Sequence, residues 1–397
     1  MSAELRSERT PLFSKPSSAY YLILGSVTIL TALGLVMVLS ASSVTALNES
    51  GNSFAIVVRQ ALFLAISLPL AWLAMNIRES LWLPMARLSF IVSALFLILP
   101  QVPGIGKTVG GNTNWIGIGS FTIQPSEFAK VGLIIWSAMR LRLHDARIDR
   151  GEASNPLALV APGVGVLMLL ILLGKDLGTA VVVAAIVGGM LFISGMPPKA
   201  FLGVGAIFAI GFAGLVLTSQ NRLNRFSAFF DPFSQANYKG VGWQQAHSIM
   251  GLASGGVLGT GLGSSKQKWG NLPEAHTDFI FSVIGEELGL LGTLAVLILF
   301  AILILAIFRV ALRSHDSFER YATAGIGCWF AVQVLLNIGT VISVMPVVGV
   351  TLPFISYGGS SLLASFIAIG FVLGVLRRDP EIAAEIKEKK AARAARG

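Results

Sequence analysis

Ten separate apolar runs, each about long enough to span the hydrocarbon core of a bilayer, constrain this chain more than any other feature. They lie at 19–47, 54–77, 81–102, 125–143, 156–174, 177–195, 199–218, 280–312, 320–345 and 359–377. Lipid offers no partner to a free backbone N–H or C=O, so each run must close its own hydrogen bonds as a helix. The sequence therefore predicts an all-α polytopic membrane protein with ten transmembrane helices, its membrane domain spanning 19–378. Composition excludes the alternatives. Only 12% of the 397 residues are charged, against about 25% in a soluble domain. That is too few for a soluble enzyme or a disordered chain, and a single cysteine, Cys328, rules out a disulfide scaffold. Cys328 sits inside an apolar run and reads as a small core residue. The first run is much longer than the roughly 7–15 apolar residues of a signal peptide, so it is expected to remain as a span.

Basic residues orient the bundle, because Lys and Arg collect in cytoplasmic loops. With the N-terminus in the cytoplasm, 19 of the 29 Lys and Arg residues fall inside and 7 outside, while Arg59, Arg87 and Lys130 lie within spans. The inverse arrangement puts the 19 outside. Both termini are thus expected in the cytoplasm, as a tail over 1–18 and a basic tail over 379–397 resting near anionic membrane lipids. The net charge of +9 is then anchoring charge, with no sign of a nucleic-acid partner.

One connection is abnormal. Residues 219–279 form an outside loop of about 60 residues, where connections in compact proteins have about 4–6. The loop carries Phe226, Phe229, Phe230, Phe233, Trp243 and Trp269, too many aromatics for a disordered segment. It is expected to pack over the outer face with short helices near 221–230 and 243–254. The outside loop 103–124 is rich in glycine. A further outside loop, 346–358, reads PVVGVTLPFISYG and is expected to dip into the membrane.

Scarcity of charge narrows the chemistry. Twelve of the 20 carboxylates fall in cytoplasmic segments and read as solvated loop charge. Glu49, Glu127, Asp176, Asp231, Glu274, Asp278, Glu286 and Glu287 remain. Asp278 lies just before the eighth span, where water meets lipid. Partial burial raises a carboxylate toward the pKa of a useful general base. The position also suits a helix N-cap, and on the residues alone both readings stay open. The His276-x-Asp278 spacing can bind metal, but no cysteine or second close histidine completes a tight site. No tightly bound cofactor is expected; a weakly held Mg²⁺ or Mn²⁺ shared with a diphosphate substrate fits the chemistry. Glu127 and Lys130, spaced i, i+3, can pair. With Arg59 and Glu286 they read as an internal ion network. Gly255, Gly256, Gly259, Gly261 and Gly263 precede Lys266 and Lys268. Backbone N–H groups and two cations can hold a diphosphate there, or the run is a flexible loop.

These motifs together resemble the SEDS family (shape, elongation, division and sporulation). The blocks are Gly261-Leu-Gly with Gln267-Lys268, LPEAHTDFIFSVIGEELGLLG at 272–292, Ile123-Gln-Pro-Ser-Glu-Phe-Ala-Lys130, Asp176-Leu-Gly-Thr179, Leu223-Asn-Arg225 with Phe230-Asp-Pro232, and Leu352-Pro-Phe-Ile-Ser-Tyr-Gly-Gly-Ser-Ser361. They span the chain in the family's order, and GLGSSKQK before LPEAHTDF is nearer to the cell-division members than to the elongation members. The resemblance implies a peptidoglycan glycosyltransferase that polymerises lipid II at the outer face of the bacterial plasma membrane, at the division septum. It implies Asp278 as the essential aspartate, taking the proton of the acceptor 4-hydroxyl. Arg225, Lys239, Lys266 and Lys268 become candidates for the polyprenyl diphosphate, and Glu274, His276 and Trp115 line the substrate site. Glu127 and Lys130 pair near the central cavity. The implied partners are a class B penicillin-binding protein transpeptidase, docking a single helix on the eighth and ninth spans, and other divisome proteins. A lipid II flippase and a divisome scaffold are the competing functions. The chain departs from the family pattern at Asn114, where an arginine is usual, and near Val348 and Gly349, where division-type members often carry a lysine. His247 also stands in place of a more usual residue.

Overall fold

The computed structural model describes residues 17–382 and 385, apart from 110, 111, 119, 120 and 219. The two expected tails, 1–18 and 379–397, lie mostly outside the described residues. Each of the ten apolar runs is a helix: α1 (Ser18–Ser50), α2 (Ala55–Asn76), α3 (Glu79–Ile98), α4 (Pro125–Asp149), α5 (Pro156–Leu173), α6 (Leu177–Ile193), α7 (Pro198–Leu217), α11 (Ile280–Arg313), α12 (Ser317–Val341) and α13 (Gly359–Arg378). Between α7 and α11 stand α8 (Gln220–Phe230), α9 (Gln235–Tyr238) and α10 (Trp243–Gly255), so the long loop is folded and both expected short helices are present. Proline occupies the first turn of α4, α5 and α7, where its missing N–H costs nothing. Asn155, Asp176 and Asp316 accept first-turn N–H groups of α5, α6 and α12, the usual work of N-caps. Eight of the ten helices are long and apolar enough to cross a membrane on their own. The other two lean on neighbours: α6 has 17 residues and packs on α12 and α5, and the charge-bearing α4 packs on α3 and α12.

The glycine-rich loop departs from the all-helical expectation. It folds as a three-stranded antiparallel sheet of β1 (Gly106–Val109), β2 (Asn112–Ile118) and β3 (Phe121–Ile123), in that order. Lys107 pairs with Trp115 and Ile116 with Ile123. Along β2, Asn114 and Ile116 are buried while Thr113 and Trp115 are half-buried, the two-residue alternation of a strand.

Two irregular stretches are built into the bundle. Residues 342–358, here called the strap, have no regular structure, yet Val350, Leu352, Phe354 and Ile355 are buried. Such backbone is tolerated inside a membrane protein only where protein satisfies it. Gln333 Nε2 donates to Thr351 O, Gln60 Nε2 donates to Ser356 O, and Gly358 N donates back to Gln60 Oε1. The strap therefore folds back into the bundle. The second stretch lies within α11, which is broken at Gly289 (φ 69°, ψ −165°), a conformation that favours glycine. The chain after α10 fills the break: Leu290 N donates to Gly256 O, Leu291 N to Val257 O, Thr260 N to Glu286 O and Gly261 N to Glu287 O, all within 3.2 Å. A Cβ on Gly255 would fall 1.9 Å from Gly285 O, so α10 meets α11 backbone to backbone. The glycine run from Gly255 to Gly261 is thus fastened to α11 rather than loose.

The sheet, the strap and the long loop share one end of the bundle. At the opposite end four ion pairs join the helix termini: Arg320–Asp145 at 2.6 Å, Arg378–Glu319 at 2.7 Å, Arg142–Asp316 at 3.3 Å and Arg313–Glu381 at 3.4 Å. Cys328 is half-buried against Gly189, as a core residue would be.

Candidate functional site

Asp278 lies in the turn that leads into α11, at the loop end. The helix is capped by Phe279 and receives no side-chain cap bond, so the N-cap reading of Asp278 falls. Among the described residues its carboxylate accepts no hydrogen bond, and it faces the strap: a side chain on Gly349 would begin 3.5 Å from Asp278 Oδ2. Burial pushes the Asp278 carboxyl up to about 7; the Glu274 charge adds to the rise and Arg225 opposes it. A carboxylate so poised can accept a proton near neutral pH. Beside it, the His276 ring packs at a tilt against Tyr357, centroids 5.6 Å apart. Burial pushes His276 below the usual histidine value, against the pull of Glu274 and Glu49.

The other predicted residues divide. Arg225, on α8, is exposed and close enough to act on Asp278. Glu274 is exposed at the same turn and accepts Thr277 Oγ1 at 2.6 Å. Trp115 is half-buried on β2, opposite exposed Lys107. Lys239 and Lys266 are exposed; the charges acting on Asp278 are those of Glu274 and Arg225. Lys268 corrects the expectation. It is 7% exposed and donates to Gly263 O while lying 3.7 Å from Glu287. Its charge is used internally, because the loop turns it under itself toward α1 and α11.

The ion network also needs correction. Lys130 Nζ meets Glu127 Oε1 at 2.7 Å, donates to Gln333 Oε1 and sits 4.8 Å over the Trp329 ring. Trp329 Nε1 donates to the same Gln333 oxygen. Arg59 is not part of this cluster: α2 turns it to its exposed face and points Gln60 inward. Glu286 is not part of it either, because α12 stands between α4 and α11. Glu286 instead accepts Ser265 Oγ, Lys266 N and Gln267 N. With Glu287, which accepts Ser40 Oγ at 2.6 Å, it fastens the loop to α11 and α1.

Asn114 turns inward. Its amide donates to Asp176 Oδ2 at 2.7 Å, and that carboxylate also accepts from Gln124, Thr179 and, at 3.5 Å, Ser126. Asn114 therefore ties β2 to α6. His247 stacks on Trp243 at 3.9 Å and on Tyr238 at 5.6 Å, a packing role. Among the described residues no three of His, Cys, Asp and Glu gather to hold a metal ion. Sequence reasoning missed Gln60, Gln333, Asn337 and Ser356, which hold the strap. The available signal was amides inside apolar runs, two of them at i, i+4 on the ninth.

The comparisons with known proteins come to bear on this geometry. The family model described as "Cell cycle protein", covering FtsW, RodA and SpoVE, matches residues 20–380. Stage V sporulation protein E of Bacillus subtilis is 36% identical over 367 residues, covering 92% of this chain and 98% of that protein. A Coxiella burnetii protein named "Probable peptidoglycan glycosyltransferase FtsW" is 38% identical over 351 residues, covering 87% and 93%. Among solved structures, a chain of a peptidoglycan synthase complex that coordinates polymerization and crosslinking superposes with a TM-score of 0.71 at 28% identity, covering 89% and 96%. The Thermus thermophilus rod shape determining protein RodA gives 0.65 at 28% identity, covering 90% and 96%. A multi-pass helical membrane protein with a folded loop domain over one end and the HTDF aspartate beneath its strap, this chain belongs to the FtsW/RodA/SpoVE family of cell cycle proteins, the SEDS family that its motifs resemble.

Proposed function

We propose that this chain polymerises lipid II into glycan strands at the outer face of the bacterial plasma membrane, as the glycosyltransferase of septal wall synthesis. The observation that carries this reading is Asp278: an unbonded carboxylate with a pKa near 7, at the mouth of the loop end, beside a cation. The acceptor 4-hydroxyl oxygen attacks the anomeric carbon of the lipid-linked sugar. Its proton passes to an Asp278 carboxylate oxygen. The bond from the anomeric carbon to the diphosphate oxygen breaks, and the polyprenyl diphosphate leaves with the electron pair. Arg225, whose charge acts on Asp278, is the candidate to stabilise that developing charge; Lys239 and Lys266 are exposed and are further candidates.

Two further features support the reading. α7 buries none of its residues, and an apolar cavity of about 500 Å³ lined by Met168, Val181 and Phe208 separates it from α5 and α6. Such a groove suits a polyprenyl chain. Four ion pairs tie the helix termini together at the opposite end, while the poised carboxylate lies at the loop end, an asymmetry that supports chemistry at one face. A transpeptidase partner follows from the likeness to a peptidoglycan synthase complex. The exposed Leu290, Leu294 and Leu297 of α11 offer its helix an apolar seam.

The test is polymerisation of purified lipid II by the protein with its transpeptidase partner, with and without added Mg²⁺ or Mn²⁺, beside a vesicle transport assay. Glycan strands are expected from the partnered protein. Lipid transport without any strand would support the flippase and overturn the proposal.

A further inference from the structure

Three consecutive backbone carbonyls lead up to and include the reacting residue, and each is held. His276 O accepts from Tyr357 N at 2.9 Å and Thr277 O from Ser356 Oγ at 2.6 Å. Both donors belong to the strap. Asp278 O accepts from Asn337 Nδ2, on α12, at 2.8 Å. The same nitrogen donates to Val350 O at 2.7 Å. A primary amide nitrogen carries two hydrogens, so this one side chain can serve both carbonyls at once. Asn337 is 2% exposed. The bond to Val350 O is buried and that to Asp278 O part-buried, so removing the amide would leave both carbonyls short of a donor.

Val350 follows Gly349, the strap residue that lies against Asp278 Oδ2. The Asn337 bridge therefore sets the separation between the carboxylate and the backbone that covers it. A rigid helix carries the bridge: α12 is buried along most of its length.

We propose that Asn337 is the positioning residue of the reaction, holding Asp278 in register with the strap so that its carboxylate meets the acceptor hydroxyl. It touches no substrate. The proposal rests on Asp278 being the general base. Its expected signature is a fall in turnover with little change in substrate binding, because a displaced base loses near-attack geometry while the binding groups stay in place.

The test uses the full chain with its transpeptidase partner and lipid II as substrate. Asn337→Ala is expected to lower kcat about tenfold or more and to leave KM within about twofold. Asn337→Ser keeps one donor and is expected to recover part of the loss. Thr340→Val is the control: Thr340 Oγ1 donates to Pro346 O at 3.1 Å, on the same helix and strap but without contact to Asp278. It is expected to stay within about twofold of wild type. Thermal melting and size exclusion establish that each variant folds; should Asn337→Ala not fold, Asn337→Ser carries the test. Wild-type kcat in the Asn337 variants, an equal loss in Thr340→Val, or a loss confined to KM would overturn the proposal while leaving Asp278 as the base. Failure of the wild type to make glycan would remove the reading of Asp278, and this proposal with it.

Discussion

Asp278 has a carboxyl that burial lifts from 3.8 to about 7. As a base it must be ionised, so polymerisation is expected to rise through pH 7 and to fade below it; a rate flat from pH 5 to pH 8 would count against the assignment. The same shift affects stability. Between the ordinary carboxylate pKa and 7 the folded chain holds a proton that the unfolded chain has lost, so stability falls as pH rises through that window. Asp278→Asn should therefore raise the melting temperature more at pH 8 than at pH 5. Lys268 gives the contrasting case. Removing it strands Glu287 in a buried site, and breaking a buried pair costs about 3–5 kcal/mol. Lys268→Met is expected to depress thermal stability sharply, seen in melting curves, and to change the KM of folded protein little. Asp278 was legible in the sequence because charge is scarce and the motif around it is specific. Lys268 was misread because a residue's side of the membrane can be inferred from loop charge, whereas the direction its side chain takes under a folded loop cannot.

At the scale of elements, the ten helices could be read because lipid leaves the backbone one solution and hydropathy marks its length. The strap and the break in α11 could not. Their backbone groups are satisfied by residues far away in sequence: Gln60 for Ser356 and Gly358, and Gly256 and Val257 for Leu290 and Leu291. The sheet was hidden because its glycines drew attention from the alternation through Asn114, Trp115 and Ile116. The α11 break makes a sharp prediction. A Cβ at Gly289 would lie 2.3 Å from Gly259 N and 2.5 Å from Val257 O, both backbone atoms, at a positive φ. Gly289→Ala is expected to destabilise by about 2 kcal/mol or more, measured by thermal unfolding in detergent. Gly292→Ala, on the same helix, meets only the Leu288 side chain at its closest and should cost less.

For the whole molecule, the asymmetry of the two ends carries the account: a folded cover with a poised carboxylate at one end, ion pairs at the other. The distribution of Lys and Arg predicts that the cover faces outside. In intact cells, Lys239→Cys introduced into a Cys328→Ala background should react with a membrane-impermeant thiol reagent, and Glu152→Cys should not; the reverse pattern would invert the topology. The central claim is that this chain makes glycan at Asp278. The most direct measurement is lipid II polymerisation by the partnered wild type, Asp278→Asn and Asp278→Ala proteins, read as glycan strands. The account predicts strands from wild type and a loss of about 10²-fold or more in both variants, each still folded and bound to its partner. Strands at the wild-type level from either variant would contradict it.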